Sequence, residues 1–469
     1  MQLKSELYNK LLDFRKLNRY PFHMPGHKRN SKEVSFVNPF EIDITEIDGF
    51  DNLHNPEDII EREMDRAAKY YRSRKSYFLV NGSTCGNMAA VASVANVGDK
   101  IIVARNCHKS VYNIVDFLRL KVEYLFPEII EEYGIAGSYK PEDVEKIISE
   151  NQDAKAVIIT SPTYEGVVSD VEAICEIAHK YNIAVIVDSA HGAHFILSDC
   201  FPKSALLCKA DIVIESLHKT LPSLTQTGIL HFNSDIIEQK KVEKYLSVFQ
   251  SSSPSYILLS SITNCINFMS ESTSYVEKYL NIINNLIERI NNLEHFKLLN
   301  DQSEIIFKFD ISKIVIICND YKMTGIELIE ILREKYNLEM EMAAGSYVIA
   351  MTSVLDSEEG FLRLAKAFED IDNNYDKIIK SLDSSREYDE KCAKLSNSIY
   401  HMKNEKVCEI FEAEKINSSE SFYNSKISKK YVYLYPPGIP LIVPGEIPNE
   451  ELVRELNNYR NNGYQIIEG

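Results

Sequence analysis

Hydrophobic and polar positions divide the chain into stretches of different rhythm. Leu3, Leu7, Leu11 and Phe14 recur at helical spacing and predict an amphipathic opening helix. In Pro21-Phe-His-Met-Pro-Gly-His-Lys28, two prolines and a glycine exclude a regular element. Ile59, Ile60, Met64, Ala67, Ala68 and Tyr71 keep one face apolar and predict a helix from Pro56 to about Arg74. Short apolar runs then alternate with helical patterns. Tyr77–Val80 runs into Asn81-Gly-Ser-Thr84, and Ile101–Val103 into Asn106-Cys-His-Lys-Ser110. Ala156–Ile159 runs into Ser161-Pro-Thr-Tyr-Glu-Gly166, Ala184–Val187 into Asp188-Ser-Ala-His-Gly-Ala-His194, and Ile212–Ile214 into Ser216-Leu-His-Lys219. Continuous apolar strands separated by helices predict a mostly parallel sheet covered on both faces. Such sheets bind ligands at the carboxyl ends of their strands, and here every one of those ends carries chemically capable residues.

Beyond about Leu230 this richness fades. Residues 237–300 read as largely helical, and 304–375 mix apolar strands (Lys313–Cys318, Ser346–Thr352) with helical patterns near 324–336 and 358–373, a smaller α+β domain. A charged stretch, Asp383 to Lys391, reads as a linker. Tyr433-Leu-Tyr-Pro-Pro-Gly-Ile-Pro-Leu-Ile-Val-Pro-Gly-Glu446 has enough proline and glycine to set an irregular, defined path. The expected layout is an N-terminal helix and loop segment (1–55), a large domain (56–250), a small α+β domain (251–380) and a C-terminal domain (381–469).

Composition narrows the function classes. Hydrophobic content of 45% and charged content of 26% are ordinary for a globular protein, and no apolar run reaches the ~20 residues that cross a bilayer. The charged N-terminus lacks an apolar signal region, so no membrane and a cytoplasmic location are expected. The net charge of −17 argues against nucleic acid. Nine cysteines without paired spacing or clustered histidines argue against a metal site and a disulfide framework.

Glu215-Ser-Leu-His-Lys-Thr220 organises the chemistry. A lysine just past a buried strand tends to lose its proton, and a neutral amine is the nucleophile that a carbonyl needs. Asp188 ends the neighbouring run. The two point to pyridoxal phosphate: the lysine would take the aldehyde as a Schiff base, and the aspartate would keep the pyridine nitrogen protonated. On residue type alone, Lys219 could equally lie at the surface and Asp188 cap a helix. Asn81-Gly-Ser-Thr84 suits a phosphate, because small residues and a helix N-terminus present N–H groups, and Ser83 and Thr84 add hydroxyls. Ser216 and His218 lie close enough to Lys219 to reach the same phosphate, although Ser216 could instead be a cap. His108 could stack on the ring. Glu46, Asp48 and Asp51 share a loop, a solvated acidic surface or a counter-charge for a cation.

Together these motifs resemble the Orn/Lys/Arg decarboxylase family, pyridoxal-phosphate enzymes with the aspartate aminotransferase fold (fold type I). The resemblance rests on Phe22-His-Met-Pro-Gly-His-Lys28, Asp51-Asn-Leu-His54, Asn81–Thr84, Asn106–Ser110, Ser161–Asp170, Asp188–His194, His218–Thr227 and Tyr435–Glu446, and is weakest from about 235 to 430. It implies an α/β large domain with a mostly parallel sheet plus smaller α+β domains. It makes Lys219 the Schiff-base lysine, Asp188 the partner of the pyridine nitrogen and His108 the ring-stacking residue. Ser83, Thr84, Ser216 and His218 would hold the phosphate. His191 would lie near the cofactor's O3′ or the substrate carboxylate, and Ser161 near O3′. Because the His-Met-Pro-Gly-His motif begins at His23, the chain resembles short members without the extra receiver-like domain. Two departures stand out: Ser189 where short members often have Glu, and Glu215-Ser-Leu-His for Gln-Ser-Thr-His, which costs a hydroxyl at Leu217.

The resemblance implies decarboxylation of a basic L-amino acid to a polyamine-type amine and CO₂. Arginine is favoured by analogy with short members, with lysine or ornithine as alternatives. A homodimer or larger homo-oligomer with shared sites is expected. A strong arginine clamp on the α-carboxylate would oppose its loss, and Arg105 is the one arginine in the strand-end loops. Glu446 or the Glu46–Asp51 loop would take the distal cation. The rivals are another enzyme of the fold, such as an aminotransferase or a lyase, and a non-catalytic protein.

Overall fold

The computed structural model describes residues 5–34, 36–300, 302–320, 322–383, 402–415, 427–434, 438–461 and 465–469. Its centre is a seven-stranded sheet in the spatial order 75–79, 228–232, 212–215, 184–188, 156–160, 100–104, 121–125. All pair in parallel except Gly228–Phe232, which runs antiparallel to both its neighbours. Four of the five expected apolar runs are interior strands, with residues such as Ile101, Val157, Ile186 and Val213 buried on both faces, and the fifth, Tyr77–Val80, lies on the edge strand 75–79. In this register Asp188 lies beside Thr160 on one neighbouring strand and Ile214 on the other, so the ends of three strands share one edge. The helix Gly82–Val94 lies close on the sheet: a Cβ at Gly86 would fall 2.7 Å from Leu79 Cδ1 and 2.9 Å from Ile214 Cγ2.

The helix Tyr256–Ser270, expected in the small domain, packs into this first core through Leu259, Ile262, Cys265, Ile266 and Met269. A sheet in the order 296–298, 313–318, 347–351, 342–344 has Val315, Ile317 and Ile349 of a third cluster on one face and, on the other, a second core that includes Ile314, Ile316, Val348, Ala350 and Val276 on the next helix. That second core also draws in Phe22 from the N-terminal loop. There Tyr20–Phe22 forms a short strand parallel to Leu338–Met340, against the expectation of no regular element. A single added edge pairing tolerates Pro21, which loses only a donor. The C-terminal unit has its own small core of Val432, Leu441, Ile442, Leu452, Leu456 and Tyr459. Asp383 ends the helix from Tyr375, and the rest of the expected linker and Tyr435–Pro437 lie outside the described residues.

The opening helix spans Glu6–Lys16 and buries nothing within the chain, leaving Leu7 68% and Leu11 58% exposed. Among the described residues, no helix is long and apolar enough to cross a membrane.

Candidate active site

Lys219 lies in the one-turn helix Leu217–Thr220, directly after the buried strand Ile212–Glu215. Its Nζ is 2.9 Å from His191 Nε2. Burial is the largest influence on the amine and lowers its pKa; Lys313 pushes the same way, Asp188 and Glu341 oppose, and the net shift is downward. Burial also holds the His191 ring well below its ordinary pKa, with Lys219 adding to the effect, so the imidazole is neutral. The other ring nitrogen, Nδ1, is a buried atom with no partner among the described residues.

Asp188 is 3% exposed. Its Oδ1 accepts from the Ala190 N–H at 3.1 Å and its Oδ2 from Asn87 Nδ2 at 2.7 Å. The other Asn87 amide proton goes to Ser110 Oγ at 3.0 Å, and Ser110 Oγ lies 2.9 Å from His108 Nδ1. Because His108 Nδ1 also accepts the Ser110 N–H at 3.2 Å, that nitrogen bears no proton. Burial lowers the His108 pKa to about 4, so the ring is neutral. A directed chain of donors therefore ties the strand-end carboxylate to the imidazole.

Ser83 Oγ and Ser216 Oγ are 2.6 Å apart, which joins the first turn of the helix Gly82–Val94 to the Lys219 turn. Ser216 makes no capping bond, so the capping alternative is set aside. At the N-cap of the helix Gly82–Val94, Asn81 likewise leaves the first amides without a side-chain acceptor. His218 donates through Nδ1 to the Thr227 carbonyl at 2.8 Å, leaving Nε2 free to face a ligand; burial lowers this ring's pKa to about 4. Thr84 is exposed at the same end. Gly228 lets the antiparallel strand approach: a Cβ there would lie 2.9 Å from the Glu215 carbonyl oxygen and 3.3 Å from Ser83 Oγ.

Two functional groups were not read from the sequence. Tyr164 packs edge-on to His191, with ring centroids 4.9 Å apart, and its hydroxyl donates to Glu341 Oε1. Glu341 reaches in from the second domain, and its Oε2 accepts the Met24 N–H at 2.9 Å. No spacing in Glu339-Met-Glu-Met342 marks Glu341 out. Asn87 did carry a signal, since it follows Ser83 by one helical turn.

Other expected residues go elsewhere. Ser161 lies beside Asp188, donating its N–H to the Asp188 carbonyl at 3.1 Å, while its hydroxyl accepts the Ser169 N–H at 3.1 Å. His194 turns away and meets Asp310 at 3.1 Å. Glu446 is not open to a substrate cation: it is 4% exposed and binds Arg105 at 3.2 Å, Asn404 Nδ2 at 2.9 Å and the Val443 N–H at 2.9 Å. Arg105 is thereby occupied too, which removes it as a carboxylate clamp. Asp51 likewise accepts the N–H groups of Asn52, Glu57, Asp58 and Ile60, so it anchors the start of a helix.

A strand-end lysine, a carboxylate tied to a neutral imidazole and an uncapped helix N-terminus thus share one edge of the sheet. The model of the Orn/Lys/Arg decarboxylase major domain matches residues 5–308. The chain belongs to that family. It is 31% identical over 466 residues to an arginine decarboxylase of Bacillus anthracis, covering 96% of this chain and 92% of the relative. With an arginine decarboxylase of Bacillus subtilis the identity is 29% over 471 residues, covering 96% and 92%. Among solved structures, the Francisella novicida lysine decarboxylase LdcF superposes with a TM-score of 0.77 at 17% identity, covering 94% of this chain and 75% of that one. That likeness shows the fold, fold type I. This Orn/Lys/Arg decarboxylase family member is a pyridoxal-phosphate-dependent amino acid decarboxylase, a lyase.

The residues fit the cofactor. The unpartnered Nδ1 of His191 is a buried polar atom that a polar atom of the cofactor or substrate would satisfy, and Asp188 has neutral donors on both oxygens but, among the described residues, no cation hydrogen-bonded to it. The uncapped amides at Gly82–Thr84 suit a phosphate.

Proposed function

We propose that this chain decarboxylates a basic L-amino acid, with arginine favoured over lysine or ornithine, to a polyamine-type amine and CO₂. Pyridoxal phosphate supplies an aldehyde for an amine and a ring that accepts the electron pair left by the departing carboxylate. Lys219, its pKa lowered by burial, offers an amine for the aldehyde and a proton carrier beside His191. Asp188, held by Asn87, keeps a proton on the pyridine nitrogen. His108 presents its neutral face to the ring. Ser83, Thr84, Ser216 and His218 hold the phosphate, and Ser161 and His191 face O3′ or the substrate carboxylate.

The single observation that carries the basic substrate is Glu341, a carboxylate from the second domain that faces the Lys219 site. It matches the distal cation of arginine, lysine or ornithine. Tyr164, which bonds Glu341, also lines a cavity of about 390 Å³ whose wall carries Glu128, Glu131, Asp143 and Glu165 against Arg105 and Lys403. Arg105, tied to Glu446, leaves the α-carboxylate without a clamp. The match with the arginine decarboxylases spans nearly the whole of both chains, which supports arginine. The bare opening helix supports a homodimer, with a second copy covering Leu7 and Leu11. The test is CO₂ release from arginine, lysine and ornithine in turn by the cofactor-loaded protein. CO₂ from arginine at the highest kcat/KM is expected. CO₂ from none of the three, with a keto acid formed instead, would favour an aminotransferase; no cofactor binding would favour a non-catalytic protein.

A further inference from the structure

The loop that carries His108 is gripped on both sides by the C-terminal unit. Three residues before His108, the Arg105 guanidinium donates to the Pro440 and Leu441 carbonyls, the latter at 3.1 Å, and pairs with Glu446 at 3.2 Å. Directly after His108, the Lys109 N–H donates to the Gly438 carbonyl at 3.3 Å. That N–H opens the helix Lys109–Phe117, where no earlier turn can accept it. Tyr112 closes the bracket, its hydroxyl donating to the Arg105 carbonyl at 2.8 Å. The faces of Tyr112 and Tyr124 lie 5.8 and 5.5 Å from the guanidinium carbon. Glu446 in turn receives Asn404 and the Val443 N–H, so its carboxylate joins the strands of the C-terminal unit to the loop. Nothing in this cluster touches Lys219, and its route to the site runs through His108 and onward through Ser110 and Asn87 to Asp188.

We infer that Arg105 and Glu446 are a positioning pair through which the C-terminal unit sets the His108 ring against the cofactor. The inference rests on the proposed reading of His108 as the ring-stacking residue. A distant unit that only added stability would need no bond on either flank of His108. A pair that orients the ring acts on cofactor affinity and on kcat more than on KM.

The test is a double-variant cycle of Glu446→Gln and His108→Ala, each freed of cofactor and titrated with pyridoxal phosphate, with melting temperatures measured alongside. Glu446→Gln keeps the shape and loses the charge. It is expected to weaken cofactor binding about tenfold in the folded protein, to lower kcat and to leave KM nearly unchanged. On the His108→Ala background the same change is expected to add nothing further to the loss of cofactor affinity. Parental cofactor affinity in folded Glu446→Gln, or an undiminished penalty on the His108→Ala background, would overturn the inference and leave the pair a stabilising contact. Should Glu446→Gln fail to fold, Arg105→Lys, which retains the charge but loses the carbonyl contacts, takes its place with the same expectations. His108→Ala binding the cofactor at parental strength would refute the stacking reading itself, and the pair's role with it.

Discussion

Lys219 and Lys28 have the same side chain, and burial lowers the pKa of both. Their surroundings give them opposite roles. Lys28 Nζ donates to the carbonyls of Met351 at 2.6 Å, His23 at 3.0 Å and Pro21 at 3.2 Å, and lies 3.9 Å from Asp356. Its three protons are spent, and it ties the N-terminal loop to the second domain. Lys219 Nζ has one hydrogen bond among the described residues, to a neutral imidazole. Burial without saturation yields a nucleophile; burial with saturation yields an anchor. The two regions meet where the Gly26 N–H donates to the His218 carbonyl at 2.7 Å.

The largest break in this comparison is Lys219→Ala. CO₂ release is expected to fall by ~10³-fold or more, about 4 kcal/mol of barrier, and borohydride to trap no cofactor on the chain. Lys28→Met should do the reverse. Trapping at Lys219 persists, while urea unfolding shows a loss of about 3–5 kcal/mol, because Asp356 keeps its burial and loses its cation. Retention of full stability would show that the carbonyl cage is dispensable.

Acid comes next in size. His108 and His218 have folded pKa values lowered from 6.5 to about 4. Protons therefore favour the unfolded chain, and the rings' contribution is present above pH 6.5 and lost as pH falls towards 4. Each ring is worth at most about 3 kcal/mol. Unfolding of the cofactor-free protein at pH 7 and pH 5 should show the drop, and His108→Gln should flatten part of it. Gly26→Ala is the smallest change and tests the junction. Its Cβ would lie 2.6 Å from Leu221 N, so about 1–3 kcal/mol of strain is expected. The loss should be accompanied by weaker cofactor binding, since the Lys219 turn must shift.

Four of the five interior strands were legible because a strand buried on both faces is usually an unbroken apolar run. Lys121–Leu125, an edge strand of mixed polarity, and Gly228–Phe232, interrupted by His231, lack that mark and were not read. Two of the acidic candidates, Glu446 and Asp51, are engaged elsewhere for a related reason. Glu446 and Asp51 have the right charge, and only their neighbours show that the charge is already used.

The sequence by itself determined the parallel sheet and the residues at its carboxyl edge, Lys219 and Asp188 among them, because these follow from local pattern and from the rule that parallel strands present their ends together. Tertiary structure alone decided which buried charges are spent and which are free. It brought Glu341 to Tyr164 and Glu446 to Arg105, pairs 177 and 341 residues apart. No local pattern encodes such meetings. Each depends on the docking of one packed unit against another, and it is that docking which separates the saturated Lys28 from Lys219, which has one hydrogen bond among the described residues.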